Sequence, residues 1–99
     1  MIERTARIRW LAPADGGRSF VPPGPVYSTV ARFERWAERW PHEAWSVVLI
    51  ISAPADVHGL MIAGIRILAG DDGPKDLLNS GSRLDLYEGR QCVAHGEVI

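Results

Sequence analysis

The chain is poor in the residues that most often announce a chemistry. It has one cysteine, Cys92, so no disulfide can form within it, which fits a reducing compartment or simple indifference to redox setting. It has one lysine, Lys75, the other basic residues being arginine. The longest apolar run is Val47–Ile51, far short of a membrane span. The opening MIERTARIRW alternates charged and apolar residues and has no apolar stretch of the kind a signal peptide needs. A cytoplasmic protein without a membrane partner is the expectation. No G-x-x-x-x-G-K-[ST] motif occurs, which removes a P-loop nucleotide site. Net charge is −1, so the basic excess that drives non-specific binding to duplex DNA is also missing. The charge is uneven, however: residues 1–40 carry seven arginines against four acids, and residues 41–99 four basic against eight acidic groups.

What the chain does have is a series of short extended segments. Ninety-nine residues, 46% of them apolar, make one domain with a modest core. Ile2, Ala6, Ile8, Trp10 and Ala12 share one parity, while Glu3, Thr5, Arg7 and Arg9 share the other. Period two is a half-buried strand. PADGGRSFVPPGP, residues 13–25, then predicts a long ordered loop in which Ser19–Val21 could pair briefly. VYSTV favours extended chain and ARFERWAERW helix, which predicts a strand over 26–33 with Tyr27, Thr29, Ala31 and Phe33 inward. An irregular or briefly helical excursion over about 34–44 follows, and Pro41 ends any helix before it. WSVVLIIS, residues 45–52, is apolar on both parities and reads as a central strand. Asp56 to Gly59 turns the chain. Leu60 to Ala69 puts Met61, Ala63, Ile65, Ile67 and Ala69 on one face. After the loop GDDGPKD, Leu77 and Leu78 plug an end. A final hairpin with a three-residue loop at Glu88-Gly89-Arg90 would set Leu86 opposite Cys92 and Leu84 opposite Ala94, with Gly96 and Val98 continuing the inner face. The last strand then closes the sheet against an earlier one, leaving no edge. The fold class is all-β, a closed barrel of six antiparallel strands, in a single domain.

Two stretches carry a resemblance: ARIRWLAPADGGR at 6–18 and GSRLDLYEGRQCVAHGEV at 81–98. Together with the strand order they resemble the C-terminal β-barrel domain of elongation factor Tu, and more closely small free-standing bacterial proteins built from that barrel alone. The resemblance implies a Greek-key barrel without any GTPase domain. It also implies that the proline-loop strand and the last hairpin face a partner, since the family uses them to help contact transfer RNA and the exchange factor. Gly17, Arg18, Arg90 and Gly96 match by position. The family's Y-R-P-Q segment has no counterpart, PGPVYSTV standing in its place.

Catalytic and metal motifs are scarce. Cys92 and His95 read C-x-x-H, and an offset of three on a regular strand places them on opposite faces, a small buried thiol and a surface histidine. His42, His58 and His95 lie far apart, and Asp56 near His58 reads as a turn with its carboxylate capping backbone amides. GDDGPKD lacks the residues of a phosphate or calcium loop. No enzyme, metal or cofactor is expected. The candidate surface is RFERWAERW, where Arg35, Trp36, Arg39 and Trp40 combine the residue types enriched at protein interfaces. The same indoles could instead lid the barrel mouth. Glu34, Glu38 and Glu43 thin the positive field there, which favours an as yet unidentified protein partner over RNA. An RNA or ribosome-associated role, by analogy with the elongation factor barrel, would fall to Arg7, Arg9, Arg18 and Arg90. A solvated face is the simpler reading of Arg7 and Arg9, with an anionic contact the alternative.

Overall fold

Alternation along 4–10 does what period two requires: β1 (Arg4–Trp10) buries Ala6, Ile8 and Trp10 and exposes Arg7 and Arg9. The structure, a computed structural model, describes residues 3–74 and 76–99. Ile2, expected on the inner face, and Lys75 in GDDGPKD lie outside the described residues. The other strands are β2 (Val26–Phe33), β3 (Trp45–Ile50), β4 (Leu60–Ile67), β5 (Arg83–Glu88) and β6 (Gln91–Val98).

The six strands close into an antiparallel barrel in the order β1-β4-β3-β2-β5-β6, with β6 paired to β1. β2, β3 and β4 form a meander and β5 returns to lie beside β2, which is a Greek key. Closure runs from Ala6 opposite Val98 to Trp10 opposite Ala94, so neither β1 nor β6 is left as a free edge. The lumen is packed with Ile8, Val47, Leu49, Met61, Ile65, Leu84, Leu86 and Val98, and Leu77 and Leu78 are buried against it as expected. On β3 the outward Val48 is buried as well, flanked in register by Ser28 and Arg66, which accounts for the unbroken apolar run of that strand.

Several boundaries differ from expectation. Residues 13–25 form one short 3-10 turn (Pro13–Asp15) and an extended loop, without a strand at 19–21. Ala12 and Ala69 are exposed beyond the strand ends. Tyr27, Thr29 and Trp45 are half-buried rather than fully enclosed, Tyr27 and Trp45 packing against the core. The turn at 56–59 is as read: the Asp56 carboxylate accepts the amides of His58 at 2.8 Å and Leu60 at 3.0 Å, and these bonds, Leu60's first, hold its pKa below the ordinary value.

The last hairpin needs a correction. Its loop has two residues, not three: Glu88 faces Gln91 across Gly89-Arg90. Gly89 has φ +62° and Arg90 a negative φ, the arrangement of a two-residue hairpin turn led by glycine. Leu86 therefore pairs with Ala94 and Leu84 with Gly96, while Tyr87 pairs with Cys92. The extra residue is Val93, a bulge that breaks the register between Leu86 and Tyr87. Val93 and Ala94 are both buried, at 1% and 0% exposure, so two consecutive side chains of β6 enter the lumen opposite the single Leu86. Cys92, expected inside, is thereby turned to the outer face.

Candidate functional site

The bulge reverses side-chain parity within β6, and this places Cys92 and His95 on the same side of the sheet. The expected placement on opposite faces fails because it assumed a regular strand. On the barrel exterior, pairing sets Arg32 of β2, Asp85 of β5, His95 of β6 and Arg9 of β1 in one cross-strand row. Asp85 sits between two donors: Arg32 Nη1 lies 3.4 Å from Oδ2 and His95 Nδ1 lies 2.6 Å from Oδ1. Cys92 Sγ is directed to the Ala94 carbonyl at 3.5 Å. One donor atom each from Asp85, Cys92 and His95 lies within 4.8 Å of the others. Tyr87, one pleat along β5, packs under Trp40 with ring centroids 4.8 Å apart.

Two groups of this cluster have pKa values above their ordinary range. Partial burial, and then the Asp85 charge, push the Cys92 thiol above its ordinary pKa, with Arg32 opposing. Burial also raises the Tyr87 phenol, helped by Cys92 and Asp85. Both groups keep their protons at neutral pH. What the arrangement offers is three convergent donor atoms on a stiff strand pair, half-open to solvent.

A second cluster fastens the proline loop to the hairpin turn. The Glu88 carboxylate accepts hydrogen bonds from both Arg18 and the Tyr27 hydroxyl. Arg18 also donates to the Phe20 carbonyl at 3.2 Å and lies 5.4 Å over the Tyr27 ring, while Gln91 Nε2 donates to the Gly17 carbonyl at 3.3 Å. Burial and the Glu88 hydrogen bond push Tyr27 up to about 12. Burial works to raise the Glu88 pKa, but the hydrogen bonds from Tyr27 and Arg18 outweigh it and hold the carboxyl below its ordinary value. A carboxyl whose folded pKa is depressed stabilises the fold above its unfolded pKa, and that contribution fades as pH falls through the folded value. Wild type should therefore exceed Glu88→Gln in melting temperature at pH 7, and the gap should close between about pH 5 and pH 3. With Glu88 38% exposed the gap corresponds to no more than about 1 kcal/mol. A gap that stays constant across that range, followed by circular dichroism, would show that the clamp contributes no charge term.

The excursion between β2 and β3 is a kinked 3-10 segment, Glu34–Arg39. Arg39 stacks 4.4 Å over the Trp36 ring and pairs with Glu43 at 3.6 Å. Trp36 leans on the core with part of its ring open, Trp40 continues to Tyr87, and Arg35 reaches Asp76, 3.1 Å from its carbonyl and 3.3 Å from its carboxylate. Arg35, Trp36, Arg39 and Trp40 thus share one segment, and Trp40 connects it to the strand carrying Asp85.

No protein-family model, curated protein or solved structure matches the chain.

Of the four arginines considered for anion contact, Arg9 and Arg18 line one surface cleft. Arg7 and Arg9 share the outer face of β1, Arg7 pairing with Glu97 at 3.5 Å. Arg18 is engaged by Glu88, and Arg90 lies exposed in the hairpin turn. The Asp85, Cys92 and His95 cluster was not anticipated. The signal that could have found it is the apolar pair Val93-Ala94 after a glycine-led turn, which marks a strand forced to place neighbours on one side.

Proposed function

We propose that this protein is a non-catalytic binding module that docks a protein partner through the excursion after β2, in a regulatory or immunity-like setting in the cytoplasm. The observation that carries the reading is the position of the two indoles. The lumen is filled mainly by aliphatic side chains together with Phe33 and Trp10, while Trp36, packed against that core, and Trp40, packed against Tyr87, each stay only partly buried. An indole already held on one side by Arg39 or Tyr87 offers its open part to a partner with little further ordering. The sequence resemblance to the elongation factor Tu barrel supports recognition over catalysis, and among the described residues no helix is long and apolar enough to cross a membrane. RNA ranks behind protein because Glu97 and Glu88 already engage Arg7 and Arg18.

The test is a comparison of the tagged wild-type protein with a Trp36→Ala, Trp40→Ala double variant. The wild type should capture a saturable protein partner, and the folded double variant should bind it at least about tenfold more weakly, as loss of central aromatic contacts does. Unfolding of the double variant would make the indoles part of the core and overturn the reading. Binding to structured RNA that weakens steeply with salt, unaffected by the double substitution, would overturn it in favour of RNA.

A further inference from the structure

We propose that Asp85, Cys92 and His95 form a binding site for one borderline divalent transition-metal ion, zinc first among them. The proposal stands apart from the docking surface and rests on the hairpin alone. Thiolate, imidazole and carboxylate together are the donor set of zinc and cobalt, while the sulfur speaks against magnesium and calcium. The three donor atoms lie within 4.8 Å of one another. A tetrahedral zinc with bonds of about 2.0 to 2.3 Å holds its ligand atoms roughly 3.3 to 3.8 Å apart. The widest allowed gap exceeds this by about 1 Å, and His95 Nδ1, now 2.6 Å from Asp85 Oδ1, would move apart from it to admit the ion.

The backbone supports the geometry. Asp85 and His95 are direct cross-strand partners, and the bulge at Val93 turns Cys92 to the same side. Arg32, on the second oxygen of Asp85, orients that carboxylate in the way outer partners orient metal ligands. Binding forms one metal–sulfur, one metal–nitrogen and one metal–oxygen bond. The Cys92 proton passes to solvent, His95 coordinates as neutral imidazole, and no group changes oxidation state. Three protein donors leave the fourth tetrahedral position to water, and His95 is exposed, so the ion can enter.

Titration of the metal-free full chain with Co²⁺ tests this. One equivalent should produce the thiolate-to-cobalt charge-transfer band and the visible bands of a four-coordinate ion, and one equivalent of Zn²⁺ should remove them. Cys92→Ser should abolish the charge-transfer band, and His95→Gln and Asp85→Asn should each weaken Co²⁺ binding at least about tenfold. The unsubstituted protein supplies an independent readout: Zn²⁺ should protect Cys92 from alkylation by iodoacetamide. Absence of the band at millimolar Co²⁺, wild-type affinity in His95→Gln and Asp85→Asn, or unprotected alkylation in saturating Zn²⁺ would each overturn the site.

Discussion

Leu86→Ala should lower the free energy of unfolding by about 2 to 5 kcal/mol, toward the upper end. Leu86 is 0% exposed and its neighbours in register on β2 and β6 are Ala31 and Ala94. Those small residues leave the space that Leu86 fills, and neither can expand into the cavity its loss would create. A strand pair closed into a barrel also has little freedom to collapse inward. A domain of this length is worth roughly 5 to 15 kcal/mol in total, so one substitution should remove a large share of it. Urea unfolding followed by tryptophan fluorescence gives the value, and Leu60→Ala on the outer face should stay within about 0.5 kcal/mol of wild type. A loss below about 1 kcal/mol at unchanged m-value would mean that the barrel interior is not close-packed.

Gly17→Ala should be the most disruptive single-methyl change in the proline loop, at about 2 kcal/mol or more. A Cβ at Gly17 would lie 1.9 Å from the Leu11 carbonyl oxygen and 2.4 Å from the carbonyl carbon. These are backbone atoms and have no rotamer to escape into. Their position is held from both sides: Gly17 N–H donates to Ala12 O at 2.9 Å, and Leu11 N–H donates to Val93 O at 3.0 Å. The loop must therefore open, and opening it releases Arg18 from Glu88 and Gln91 from the Gly17 carbonyl. Gly17→Ala and Glu88→Gln should accordingly be non-additive, the double variant losing less than the sum of the two. Strict additivity, or a Gly17→Ala melting temperature equal to wild type, would separate the loop from the clamp.

Much of the fold is legible residue by residue. The bounds of β2 follow from VYSTVARF lying between the glycine–proline loop and the helix-favouring ERWAER. The inner faces of β1 and β4 follow from alternation alone, because one face meets water and the other does not. The Asp56 turn follows from a side chain that can reach amides two and four residues on. The candidate cluster is a different matter. Asp85, Cys92 and His95 are seven and three residues apart, and their meeting depends on a bulge that no local propensity requires.

Neighbouring residues alone set the number of strands, the inner faces of β1 and β4 and the Asp56 turn, because these answer to local chain chemistry and to whether each side chain prefers water. The register of the last hairpin was decided by the closed barrel. Only there do Val93 and Ala94 both find room in the lumen opposite Leu86, and burying that pair turns Cys92 outward beside Asp85 and His95. Packing between strands distant in the chain set that choice, and the apolar pair after the glycine turn is the one local trace of it.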